Sequence, residues 1–240
     1  MWSWSATCIA TCAAVLMTAA TCGSASPRSP HRAPSFDPAN FVKNVDNPWF
    51  PLRPGTTLRY RGEKDGRPGT DLFTVTRRRE TILGVSTTVV HDRVFARGKL
   101  AEDTLDYYAQ DKQGNVWYLG EDTKELDARG KVKSREGSWR AGVNGALAGI
   151  FMPAGPRVGQ AFRQEYLRGQ AEDHFRIVSL KAAVKVPAVS TQRAMLTKEW
   201  TPLEPGVLDH KYYVRGTGTV LEVTVKGGNE RWELYSVSVR

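Results

Sequence analysis

The chain has 240 residues, 34 Lys and Arg against 25 Asp and Glu, a net charge of +9 at pH 7 and a pI of ≈ 9.6. Its three cysteines, Cys8, Cys12 and Cys22, leave residues 23–240 with no disulfide, no cysteine nucleophile and no thiolate metal site. The basic balance comes without a recognised nucleic-acid motif, so no nucleic-acid partner is expected, whereas an anionic envelope surface suits the charge.

Residues 1–27 carry no charged side chain, and residues 9–20 are largely apolar before the small residues of 21–25. That order is a secretory signal over residues 1–25, too short in its apolar centre to span a bilayer. Cys22, in Ala19-Ala20-Thr21-Cys22-Gly23, resembles the lipidation box of bacterial lipoproteins, so either lipidation at Cys22 or simple cleavage near Ala25 is open. Residues 26–35 (SPRSPHRAPS) lack an apolar period and predict a disordered tether. Residues 36–240 suit one domain with a sizeable core and no transmembrane helix. The expected location is therefore outside the cytoplasmic membrane, secreted or lipid-anchored.

From residue 56 onward, short runs rich in Val, Thr, Tyr and Trp alternate with Gly-containing turns. This predicts strands near 56–63, 69–79, 86–97, 100–110, 115–127, 131–139, 159–168, 170–181, 184–189, 192–201, 208–215, 219–226 and 230–239. Short links favour antiparallel neighbours. The fold class is all-β: a large curved antiparallel meander sheet or open β-barrel with little helix. Residues 140–157 interrupt the pattern and predict a long loop, a candidate lid.

Three stretches, NVDNPWFPLRPGTT (44–57), YYAQDKQGNVWYLGEDTKE (107–125) and TPLEPGVLDHKYYVRGTGTVLEV (201–223), resemble a family of exported actinobacterial proteins and lipoproteins. The resemblance implies export and brings no activity with it. KYYVRGTGTVLEV is also similar to lipoprotein-carrier folds, whose concave sheets hold acyl chains, although Arg215 and Thr217 depart from that pattern.

Residues 100–127 carry eight acids and two bases, and 128–168 carry eight bases and two acids. With a two-residue loop at Gly98-Lys99 and a four-residue loop at 111–114, His91 would face Asp106, and Tyr108 would face Trp117. A loop at 128–130 would set Asp127 opposite Lys131 and Glu125 opposite Lys133, ion pairs that need no ligand. On this register Phe95, Tyr108 and Trp117 share one non-core face with Arg93, His91, Asp106 and Glu121. That face predicts a site for an amphipathic small molecule or lipid, its body on the aromatic residues and its polar head near Arg93, His91 and Asp106.

The alternatives are a hydrolase or isomerase using a His91–Asp106 general-base pair with Arg93 stabilising an anion, or a structural envelope protein without ligand. Calcium on Glu102, Asp106 and Glu121 is a lesser alternative, opposed by the nearby Arg93. His210 is expected to point inward. No metalloprotease, nucleophile-elbow, phosphate-loop or dinucleotide motif occurs, so no cofactor is expected.

Overall fold

The computed structural model describes residues 35–240 apart from Asp65; the signal segment, Cys22 and most of the tether lie outside the described residues. Among those described there is no α-helix, and a lone 3-10 turn, Pro38–Asn40, precedes the sheet. The strands in chain order are β1 (Phe41–Val42), β2 (Thr56–Lys64), β3 (Arg67–Ile82), β4 (Val85–Ala96), β5 (Lys99–Asp111), β6 (Val116–Leu126), β7 (Val132–Ser134) and β8 (Trp139–Arg140). They continue as β9 (Leu147–Met152), β10 (Ala161–Arg163), β11 (Glu165–Tyr166), β12 (His174–Val186), β13 (Val189–Trp200), β14 (Leu208–Val214), β15 (Gly218–Lys226) and β16 (Arg231–Val239).

The sheet runs β10-β12-β13-β14-β15-β16-β2-β3-β4-β5-β6-β9-β11, with every pairing antiparallel. Its two outer strands, β10 and β11, are separated in sequence by Gln164 alone, so the chain itself stitches the edges into a nearly closed barrel. Gly149 is what lets this seam close: a Cβ there would sit 2.3 Å from the Gln164 carbonyl oxygen and 2.4 Å from that of Arg163. The segment expected to be a loop at 140–157 thus contains β8's end and β9. Its small residues serve close strand approach, not a lid.

Inside, the strands bury one alternating face. Cross-strand neighbours set inward rows, one of them Tyr60–Asp71–Val94–Glu102 across β2 to β5. Trp232 reaches inward opposite Gly62, where a Cβ would fall 2.7 Å from the indole and 2.0 Å from the Arg231 carbonyl oxygen. Residues 45–52 plug one end. Asp46 and Asn47 donate their backbone N–H groups to Gln110 Oε1 at 2.9 and 2.8 Å, and Asn47 Nδ2 donates to the Gly114 carbonyl at 2.8 Å. Phe50 then inserts between Tyr108 and Phe151, with ring centroids 5.2 and 4.4 Å away.

Two hairpins differ by one residue from the sequence expectation, the first because of a bulge beyond its turn and the second because of its turn. Between β4 and β5 the turn residues are Arg97 (φ 51°) and Gly98 (φ 77°), a left-handed pair typical of tight hairpins, so Ala96 pairs with Lys99. A bulge follows, and His91 comes opposite Leu105 instead of Asp106. Between β5 and β6, Asp111 is itself paired: its N–H donates to the Asn115 carbonyl at 2.9 Å, and its Oδ1 accepts from the Gln113 and Asn115 N–H groups. Tyr108 consequently faces Tyr118, not Trp117. A one-residue slip exchanges the faces. Further along, Asp127 does pair with Lys131 through the backbone, and Lys133 Nζ lies 3.6 Å from Glu125 Oε2.

Candidate functional site

The interior beneath the plug holds a cavity of about 50 Å³, walled by Phe50, Phe73, Tyr60, Trp232, Leu58 and Phe151 and floored by Asp71, Asp92, Lys211 and Glu222. Pro51, Leu52 and the 217–219 turn form its rim. Several probe-sized waters occupy ~10–15 Å³ each by this measure, so the space accepts a small polar head and no complete acyl chain. The three stretches singled out in the sequence meet here: the first supplies Phe50 and Leu52, the second Tyr108, and the third Lys211, Thr217, Thr219 and Glu222.

Each acid arrives by strand alternation. Asp71 on β3 and Asp92 on β4 lie diagonally on the inward face, 4% and 6% exposed, with their carboxyls near one another. Asp71 Oδ1 and Asp92 Oδ1 have no hydrogen-bond partner among the described residues. Burial first, and then the Asp92 charge, holds the Asp71 carboxyl well above the usual aspartate range. Two like charges so close are costly, which favours the neutral form of Asp71. Burial, reinforced by Asp71 and Asp92, also raises the Tyr60 hydroxyl, which donates to the Thr219 carbonyl at 2.9 Å.

Lys211 is the cation of the cavity floor. Its Nζ lies 3.2 Å from Glu199 Oε2 and 3.5 Å from Glu222 Oε1. Burial alone would strip its proton, but the two carboxylates outweigh that and hold it firmly charged. Glu222 is pushed up to about 7, by burial first, with Lys211 pulling against it. Thr197 and Tyr213 donate to Glu199 Oε1 at 2.8 and 3.1 Å, which completes the network.

A second buried acidic group lies deeper. Asp106 faces Glu121 across β5 and β6, accepts from Tyr118 at 2.6 Å and is raised chiefly by burial. Glu121 is likewise raised by burial, and Glu165 accepts from the Trp139 indole at 2.6 Å. Glu102 is inward too. The calcium alternative on Glu102, Asp106 and Glu121 is corrected, since no group of three or more His, Cys, Asp or Glu among the described residues is arranged to hold a metal ion.

The residues expected to share one site are divided between two faces. Tyr108, Asp106 and Glu121 point into the barrel, whereas His91, Arg93 and Phe95 are on the outer face with partial exposure. Trp117 is on the outer side as well, 3% exposed beneath Phe36 and Phe41, with its indole donating to Asp111 Oδ2 at 2.9 Å. The His91–Asp106 pair does not form. His91 Nε2 instead lies 2.5 Å from Asp103 Oδ1, a carboxylate also approached by Lys124 at 3.8 Å. His210 is not inward, because Lys211 and Tyr213 take that phase of β14. The outer face also carries a groove of about 420 Å³ that includes Arg59, Arg77, Arg93, Arg240 and three threonines, Thr57, Thr74 and Thr76.

What the sequence reading missed were Asp71, Glu222 and Lys211. The available signal was a charged residue in the inward phase of an otherwise apolar strand, as in Val90-His91-Asp92-Arg93-Val94, where Asp92 alternates with two buried valines.

No family model and no curated protein matches the sequence. Two solved structures are similar. One, from Bacteroides fragilis and described as an exported protein with a YmcC-like fold, has a TM-score of 0.46 and 12% identity, covering 79% of this chain and 98% of its own. The other, from Parabacteroides distasonis and described as a lipoprotein, has a TM-score of 0.42 and 9% identity, covering 82% of this chain and 100% of its own.

Proposed function

We propose that this chain is an exported, envelope-associated protein that binds an amphipathic small molecule at the plugged end of its barrel. Its N-terminal signal-like segment supports export. The observation that carries binding is the cavity itself: aromatic walls above a floor where Asp71 and Asp92 each present a buried, unpartnered oxygen. Apolar enclosure with a few converging polar groups is the usual composition of a small-molecule site. The polar head sits against Asp71 and Asp92, and the apolar body rests on Pro51, Leu52 and the 217–219 turn at the rim. The cavity's size restricts the earlier lipid alternative to ligands whose chain stays outside. The outer arginine groove suits the anionic envelope surface that the net charge favours.

Native mass spectrometry of the protein isolated from its own host tests this. The expected result is a non-covalent small-molecule adduct that disappears in Thr217→Trp, which crowds the rim from a turn and spares the strands. A chain free of any adduct, or an adduct indifferent to Thr217→Trp, contradicts the proposal and favours the structural alternative. A second reading, acid–base catalysis, now rests on His91 with Asp103, whose short contact orients the imidazole.

A further inference from the structure

We infer that the head group recognised by this cavity is a cation, an alkyl- or arylammonium, seated against Asp71 and Asp92. The inference rests on the binding reading above and names its ligand class.

Geometry supplies the first argument. The floor presents three carboxyl groups, Asp71, Asp92 and Glu222, and one base, Lys211. Lys211 is already committed to Glu199 and Glu222, so its charge is compensated within the network. The oxygens that remain without a partner, Asp71 Oδ1 and Asp92 Oδ1, are acceptors that demand a donor. An ammonium brings three N–H donors and a charge, and a cavity of about 50 Å³ holds such a head with little to spare. Tyr60, Phe50, Phe73 and Trp232 surround the position with ring faces and edges. Desolvated aromatic faces favour cations and do nothing for carboxylates.

Proton balance supplies the second. Asp71 keeps its proton in the apo protein because it is buried next to Asp92, with Glu102 of β5 adding negative charge and Tyr60 of β2, Lys211 of β14 and Glu222 of β15 completing the surroundings. When an ammonium enters, the charge that forbade ionisation is neutralised. The Asp71 proton then passes to solvent, the ligand's N–H groups replace it as donor, and the net charge of the site is unchanged. Binding therefore tightens as pH rises, for as long as the amine remains protonated.

The test uses three isosteric probes on the intact protein: n-octylammonium, 1-octanol and octanoate, each titrated calorimetrically in buffers of different ionisation enthalpy. Octylammonium should bind about tenfold or more tighter than octanol, the ratio expected when a charged hydrogen bond replaces a neutral one, and octanoate weakest. Close to one proton should appear in the buffer per octylammonium bound. Asp71→Asn mimics the neutral carboxyl, so it should fold and bind octylammonium through Asp92 without releasing a proton, whereas the Asp71→Asn/Asp92→Asn double variant should fold and lose both the preference and the proton release. If octanol or octanoate binds as well as octylammonium, or if no proton is released from the wild type, the cation inference is wrong while the binding cavity stands. If none of the three binds to the folded protein, the binding reading falls with it.

Discussion

Lys211→Met should destabilise the barrel by about 3–5 kcal/mol at about pH 8, the range for removing one member of a buried ion pair and leaving its partner charged. Methionine replaces the aliphatic stem, so the loss is electrostatic and not a cavity effect. The deficit should also depend on pH, and its sign follows from Glu222. The folded pKa of that group, about 7, lies above the ordinary glutamate value of 4.5. Its contribution to stability is fully present below the ordinary value and is lost as pH rises through about 7. Lys211 lowers the Glu222 pKa, so without it the carboxyl is driven further up and more stability is forfeited on the alkaline side. Urea unfolding at about pH 5 and about pH 8 should show a smaller difference from wild type at the first than at the second. A deficit equal at both would mean that Lys211 acts through Glu199 or packing and not through Glu222.

Trp117→Ala should cost about 3–5 kcal/mol, as for other fully buried large aromatic residues, and should leave octylammonium binding intact. The indole is on the opposite face from the cavity, closed over by Phe36 and Phe41, and its N–H satisfies one oxygen of Asp111. Asp111 also organises the β5–β6 turn, so that end of the hairpin should loosen first. Thermal and urea unfolding measure the loss, and calorimetry measures the unchanged affinity. A stable variant that no longer binds would return Trp117 to the ligand site.

The all-β architecture was legible because period-2 alternation and Gly-containing turns recur along the chain. The sheet closes as a barrel for a reason no local pattern carries: Gln164 joins two strands at opposite edges, and Gly149 admits the crossing backbone. The candidate site was partly legible. Asp106, Tyr108 and Glu121 do share one face, but that face, expected to lie outside the core, is the buried interior. His91 and Arg93 were assigned to the same face because the bulge between Val94 and Phe95 carries no local sequence signal, and Trp117 because Asp111 is paired and not part of the loop. Asp127 and Lys131 were paired correctly, since the Ala128-Arg129-Gly130 turn was identified at its proper length. Lys211 and Glu222 were missed as partners because a bulge between Tyr212 and Tyr213 shifts the register of the β14–β15 hairpin.

The inward placement of Asp71 beside Asp92 is the centre of this account, and carboxyl carbon-13 NMR of Asp71 across pH reads it directly. A carboxyl that remains protonated well above the ordinary aspartate value of about 3.9, and that loses its proton when n-octylammonium is added at constant pH, is the result predicted. A simple titration near about 3.9, indifferent to octylammonium, would show Asp71 facing water and would contradict both the inward register and the cavity built on it.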